Sequence, residues 1–288
     1  MRYPNSSLFL PIPVVQGANL EFASRLVTLL SLDMKLKHFS ILVTCLLALA
    51  SCHRAVQIPP APTALPVLHS PSGKTYTRTP AGPADDEPDL RPQTNIDRAR
   101  AGGGDQFDGT ARAVAKLSIV SAPPESFATL SGLLDTLPSD DVMRALNIPK
   151  SADSDRVAQE QRLVTVTAYL YASSKESDDD FHCIVGSDAS GSTRFMNVEV
   201  SGLPDAASPF LTPLTAARNQ FKTFFTNNNV DSLPTQGYEK YNPPIPVKIT
   251  GSLFFDVDHL PGSIGPVGFR PTSAWEIHPV SDIQFEPQ

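Results

Sequence analysis

Disulfide bonds are the first stabilising device this sequence excludes. Of its three cysteines, Cys45 lies within an apolar run near the start and Cys52 closes that run, so Cys183 stands alone in the remainder. No intramolecular bridge can staple a core there. Apolar runs are short as well: the longest, residues 39–50, is about a dozen residues against the ~20 that a membrane-spanning helix needs. Positive charge is scarce, with a net charge of −7, and residues 113–288 hold 21 Asp and Glu against 12 Lys and Arg. A polyanion binder carries the opposite, a basic stripe, so nucleic acid is disfavoured as a partner. There is no Gly-x-Ser-x-Gly elbow, no phosphate loop, no His-Glu-x-x-His and no Cys-x-x-Cys, which removes the commonest signatures of nucleophilic, nucleotide-dependent and zinc-dependent chemistry.

Proline is abundant instead. Its 28 copies are about a tenth of the chain against the usual ~5%, and many fall between residues 57 and 92. Residues 52–112, rich in Pro, Ala and Gly and ending in the Gly102-Gly-Gly hinge, read as an extended tether.

Upstream of that tether, Met34-Lys-Leu-Lys-His is a short basic segment followed by the apolar run and then Leu49-Ala-Ser-Cys52. That is the three-part layout of a signal peptide. The last four residues resemble the lipobox of bacterial lipoproteins, which implies a diacylglyceryl group on Cys52 and cleavage on its N-terminal side. Residues 34–51 are then the lipoprotein signal peptide, and residues 1–33 an upstream extension with Met34 as initiator. Stable anchoring takes more than one acyl chain, which lipoprotein processing supplies. The resemblance further implies a cell-envelope location with the membrane as partner through the lipid, and His53, where an Asp would favour inner-membrane retention, points to the outer membrane.

Residues 113–288 read as one globular domain. Strand character over 113–120 is followed by helical spacing over 125–137 and a weaker helical turn at 140–146. Strict alternation from Arg162, with Val164, Val166, Ala168 and Leu170 against Thr165, Thr167, Tyr169 and Tyr171, marks a half-buried strand. Strands at 180–186 and 194–200 follow, then a helix over 209–226 capped by Ser208, then strands at 246–255 and 274–285. The order is three strands, a helix, two strands, with a short helical segment in front. This fold class is mainly β with helices, and the order matches a five-stranded OB-like barrel with its helix between strands three and four. A mixed α+β sheet of another topology is the alternative.

Chemistry-bearing residues recur in three clusters: Asp178-Asp-Asp-Phe-His182, Asp256-Val-Asp-His259 and Glu276-Ile-His278. Because strand side chains alternate, Asp180 and His182 share one face, as do Glu276 and His278. Carboxylate with imidazole suits zinc, manganese or iron, so a divalent metal held by Asp180, His182, Asp256, His259, Glu276 and His278 is the cofactor these clusters would take. The competing reading has Asp178–Asp180 solvating a hairpin turn, His182 and His278 hydrogen-bonding within the barrel, and Asp256–His259 ending a strand. Cys183 and the single Trp275 read as core, although Trp275, Tyr169 and Tyr171 could offer a stacking surface.

Four stretches, Lys175-Glu-Ser-Asp-Asp-Asp-Phe-His182, Ser208-Pro-Phe with Ala217-Arg218 and Phe221, Thr250-Gly-Ser-Leu-Phe-Phe-Asp256 with His259, and Trp275-Glu-Ile-His-Pro-Val280, resemble a family of bacterial exported proteins of unassigned activity. The resemblance spans about residues 160 to 285 and implies a shared fold. It breaks where that family often has Ile-Ala-Glu-Ile-Pro followed by Cys and this chain has Asn197-Val-Glu-Val-Ser-Gly. Two functions follow as expectations. One is an envelope lipoprotein with a non-catalytic OB-like binding or scaffolding domain, its partner an envelope protein or a saccharide. The other is a metal-dependent hydrolase, a nuclease being one form, built on the Asp, Glu and His clusters. They differ in whether three or more of those groups meet at one place.

Overall fold

The computed structural model describes residues 66–85, 105–192, 194–226 and 233–288, all within one compact unit, Ala64–Gln288. Cys52, residues 34–51 read as a signal peptide, and most of the Pro-rich stretch lie outside the described residues. Among the described residues no helix is long and apolar enough to cross a membrane.

The five strands expected from alternation are present as β4 (Leu163–Lys175), β5 (Phe181–Gly186), β6 (Phe195–Val200), β7 (Tyr238–Phe255) and β8 (Trp275–Phe285). Three more join them: β1 (Val67–His69), β2 (Thr75–Gly82) and β3 (Glu125–Phe127). The result is one eight-stranded mixed sheet in the order β1-β2-β7-β8-β6-β5-β4-β3, and β7 pairs also with β4, which closes β4-β5-β6-β8-β7 into a ring. The 18-residue length of β7 makes this possible. Its first part pairs β2, with Thr77 opposite Asn242, and its later part runs between β4 and β8, with Ile249 opposite both Val166 and Ile283. The β6–β8 pairing is parallel, because the long helix and β7 intervene and carry the chain back across.

Alternation packs the ring. Val164, Val166 and Ala168 of β4, Phe181, Cys183 and Val185 of β5, Met196 and Val198 of β6, Val247 and Ile249 of β7 and Ile277 of β8 enter one buried cluster. Ala217, Phe221 and Phe225 of the helix α4 (Leu211–Thr226) join them there. Phe224 stacks on Phe285 with ring centroids 4.0 Å apart, and Phe181 meets Phe221 at 4.7 Å. Cys183 is buried and unbridged, and Trp275 is core, its Nε1 donating to the Pro138 carbonyl at 2.8 Å. The alternate residues of β5, β6 and β8 therefore turn to the opposite face.

Four sequence expectations need correction. Residues 67–82, assigned to the tether, form β1 and β2 because Thr75–Gly82 alternates locally, burying Tyr76 and Arg78, and finds an unpaired edge on β7. Residues 105–112 are likewise part of the folded unit. Residues 113–120 carry the helix α1 (Ala113–Lys116) in place of a strand: Arg112, in the left-handed region at φ 51°, turns the chain so that its guanidinium can enter the core. The helix expected over 125–137 divides into β3, which pairs parallel to β4, and α2 (Leu130–Leu134), capped by Thr129 accepting from the Gly132 N–H at 3.2 Å. The turn at 140–146 is α3 (Asp140–Arg144), as expected.

Residues 105–108 are clamped to α4. Asp105 accepts from Arg218 Nε at 3.0 Å and from Lys222 Nζ, and Gly202 allows the approach, since a Cβ there would meet the Phe107 Cα at 2.6 Å. Partial burial raises the Asp105 carboxyl, but the Lys222 and Arg218 charges overcome this and hold it below the usual range. A depressed carboxylate contributes stability that is present above its unfolded pKa and lost as pH falls through its folded value. Asp105→Asn is therefore expected to lower the melting temperature by about 2–4 °C near neutral pH, with the gap to wild type closing as pH drops below that of an ordinary Asp. Thermal melts over a pH series measure this, and a gap that widens on acidification would refute it.

Candidate metal centre

The face of the ring turned away from α4 carries polar residues where an exposed sheet would be solvated, yet they are buried. β5 supplies His182; β6 supplies Asn197 and Glu199; β8 supplies Glu276 and His278. Asp180 lies just before β5, and Asp256 and His259 lie just after β7. None of these eight is more than 6% exposed. The strand register brings them together: His182 is opposite Glu199 across β5–β6, and Asn197 is opposite Glu276 across β6–β8.

Cover comes from segments distant in sequence. Asp85, just past β2, approaches His182 Nδ1 at 3.2 Å, accepts from the Tyr238 hydroxyl, and accepts the Gly265 N–H at 3.1 Å, which pins the loop after β7 over the cluster. Lys116 of α1 reaches Asp256 at 3.3 Å. Arg112 and Arg156 lie over the Phe254 ring at 4.6 and 5.8 Å, and Arg156 donates to the His278 carbonyl at 2.7 Å.

Glu199 is central. Its Oε1 is 3.1 Å from His182 Nε2 and accepts from Asn197 Nδ2 at 2.8 Å, while its Oε2 is 2.6 Å from His278 Nδ1. His278 Nε2 is 3.4 Å from Asp180 Oδ2. His259 Nδ1 is 2.8 Å from Glu276 Oε1 and 3.7 Å from Asp256 Oδ2. Asn197 Nδ2 also donates to Glu276 Oε1 at 3.1 Å, which fixes the two glutamates relative to each other.

The hydrogen bonding is incomplete in a specific way. Both ring nitrogens of His278, Asp180 Oδ2, Glu199 Oε2, Glu276 Oε2 and both oxygens of Glu176 have no partner in hydrogen-bonding geometry. The short approach of Glu199 Oε2 to His278 Nδ1 is thus close without being an in-line N–H···O bond. Buried polar atoms in native proteins are rarely left so, and each such atom costs about 1–3 kcal/mol, more when charged.

The protonation balance reflects the crowding. Burial pushes His278 down, but Glu199, then Glu276 and Asp180 outweigh it and raise the imidazole to about 9. His259 is raised to about 10, Asp256 and Glu276 overcoming its burial. For His182, Glu199 and Glu176 likewise overcome burial and raise it well above its ordinary value. Burial acts to raise Glu199, yet His182 and His278 carry it well below the carboxylate range, whereas burial and Asp178 together raise Asp180 far above it. Carboxylates forced apart in this manner share a volume in which the imidazoles favour the charge of Glu199 over that of Asp180.

Three sets of side chains present ligand atoms within 4.8 Å of one another: Asp85, Glu176 and His182; Asp180, Glu199 and His278; and Glu199, His259 and Glu276. These buried Asp, Glu and His groups could hold a metal ion. Of the six residues singled out from sequence, Asp180, His182, His259, Glu276 and His278 fall in these sets; Asp256 falls in none, its carboxylate facing Lys116 at 3.3 Å and His259 Nδ1 at 3.7 Å. The solvated-turn reading of Asp178–Asp180 does not hold for Asp178 and Asp180, which are 1% and 0% exposed. Glu199, Asn197, Asp85 and Glu176 were not identified from sequence. For Glu199 a signal existed, a lone acid in the apolar strand Phe-Met-Asn-Val-Glu-Val; for Asp85 there was none, since it follows a Pro-rich stretch with no pattern linking it to His182.

No protein-family model matches the chain, and no curated protein or solved structure matches it either.

Proposed function

We propose that this chain is an exported lipoprotein, held at the cell envelope by a lipid on Cys52, whose folded domain is an OB-like barrel that binds a divalent cation. The observation that carries the metal reading is the convergence of Asp180, Glu199 and His278, all buried, with unpartnered atoms on each. Mixed carboxylate and imidazole donors suit manganese, iron or zinc.

The barrel reading draws support from the ring order β4-β5-β6-β8-β7 and from α4 lying between the third and fourth strands of that ring. An OB-fold uses the face of its second and third strands, between the loop joining strands one and two and the loop joining four and five. Here those strands are β5 and β6, which carry His182 and Glu199. The first loop brings Glu176 and Asp180, and the second brings Asp256 and His259.

Burial favours a cation retained over a substrate turned over. A hydrolase, nuclease or otherwise, must leave a metal face open to substrate, whereas Asp180, Glu199, His278, His259 and Glu276 are at most 6% exposed. The domain is thus read as a metal-holding binding or scaffolding module, its partner an envelope protein or saccharide.

Elemental analysis of the purified full-length chain tests the metal. At least one equivalent of a transition metal per chain is expected, reduced in the His278→Ala variant while circular dichroism still reports a folded sheet. Metal-free wild type that cannot be loaded by dialysis would end the proposal. The anchor has a separate test: Cys52→Ser should abolish incorporation of labelled fatty acid, and unchanged labelling would remove the lipid.

A further inference from the structure

The cation reading leaves open how many ions the cluster takes, and Glu199 bears directly on that number. It is the one residue shared by two of the ligand sets, Asp180–Glu199–His278 and Glu199–His259–Glu276. Its two oxygens are differently engaged: Oε1 faces Asn197 and His182, and Oε2 lies against His278. A carboxylate with separate surroundings at each oxygen is suited to bridging two cations, the arrangement of two-metal centres. Asn197 holds it in place, donating to Glu199 Oε1 at 2.8 Å and to Glu276 Oε1 at 3.1 Å.

Unpartnered buried atoms occur in both sets and not in one alone. Asp180 Oδ2, Glu199 Oε2 and both nitrogens of His278 belong to the first, and Glu276 Oε2 belongs to the second. A single ion in either set would leave the orphaned atom of the other without compensation.

We infer that the cluster is a dinuclear centre, with one divalent cation held by Asp180, Glu199 and His278, a second by Glu199, His259 and Glu276, and the Glu199 carboxylate between them. This rests on the cation-binding reading above and adds to it the number of ions and the bridge.

Manganese is the probe. The full-length chain is stripped with a chelator under native conditions and dialysed against Mn²⁺; bound metal is counted and electron paramagnetic resonance recorded at low temperature. Two Mn²⁺ per chain are expected, with an exchange-coupled multiline spectrum in place of the six-line pattern of an isolated ion. Glu199→Gln should remove the coupling and lower the count to one or none. Should that variant fail to fold, Asp180→Asn and Glu276→Gln are each expected to leave one uncoupled Mn²⁺. One ion per wild-type chain with a six-line spectrum overturns the dinuclear centre and leaves the cation-binding function standing, whereas no bound ion removes both. Two coupled ions persisting in Glu199→Gln overturn the bridge.

Discussion

Arg112→Met is expected to destabilise the folded unit by about 3–5 kcal/mol, the cost of leaving one partner of a buried ion pair alone. Arg112 and Glu160 are 1% and 0% exposed at their side chains. They meet in a two-pronged contact, Nη1 to Oε1 at 2.8 Å and Nη2 to Oε2 at 2.7 Å. The guanidinium also donates to the carbonyls of Phe255 and Asp155, at 3.1 and 3.0 Å. Glu160 in turn accepts the backbone N–H groups of Phe255 and Val157, each at 2.8 Å. The pair therefore joins α1, the short 3₁₀ turn Ala158–Glu160 and the end of β7, next to the point where Asp256 and His259 enter the buried acid and histidine cluster. With the guanidinium gone, Glu160 keeps only two backbone donors for a charge buried in an apolar setting. Chemical denaturation gives the free energy, and the double variant Arg112→Met/Glu160→Gln gives the decisive comparison. It is expected to be more stable than Arg112→Met alone, because the stranded charge is removed as well. A double variant as unstable as the single one would show that packing of the long Arg side chain, and not the charge, holds this junction.

A divalent cation is expected to raise the melting temperature of the chelator-stripped chain strongly. A ligand that binds only the folded state contributes about 2.7 kcal/mol at a hundred times its dissociation constant. For a domain of this size that corresponds to about 5–10 °C. The gain has a structural origin in buried oxygens of Asp180, Glu199 and Glu276 and nitrogens of His278 that lie close to one another without hydrogen-bonding geometry and that a cation would engage directly. Scanning calorimetry with Mn²⁺ or Zn²⁺ measures the shift. In His278→Ala the shift should shrink, and in Lys248→Ala, an exposed position on β7 far from the cluster in register, it should persist in full. Equal melting temperatures with and without metal in the wild-type chain would contradict the proposal.

The long elements were legible because their cause is local. Alternation over residues 163–171 makes one face apolar whatever the strand pairs with, and the spacing of Leu214, Ala217, Phe221, Phe224 and Phe225 makes one helical face apolar before any core exists. β1 and β2 were lost in a compositional average: Thr75–Gly82 alternates, but it is embedded among prolines, and short strands there are stable only because β7 offers an edge. The segment 113–120 reads as strand by side-chain preference, and its helix follows from where the Arg112 guanidinium must go to reach Glu160, 48 positions further on.

The site divides along the same line. Asp-x-His and Glu-x-His on strands state, within the sequence itself, that a carboxylate and an imidazole share a face, because the side-chain period of a strand is two. That much is a property of the local backbone. Whether the shared face meets water or other protein is decided by β2, the loop after β7 and α1 folding over it, and whether three separate pairs become one cluster is decided by the register that sets His182 beside Glu199 and Asn197 beside Glu276. Tertiary structure alone also promotes Glu199 from an acid on a strand to the centre of the cluster. Strand periodicity is carried by neighbours one and two residues apart; burial and clustering depend on residues as distant as Asp85 and His278, and only chain closure brings those together.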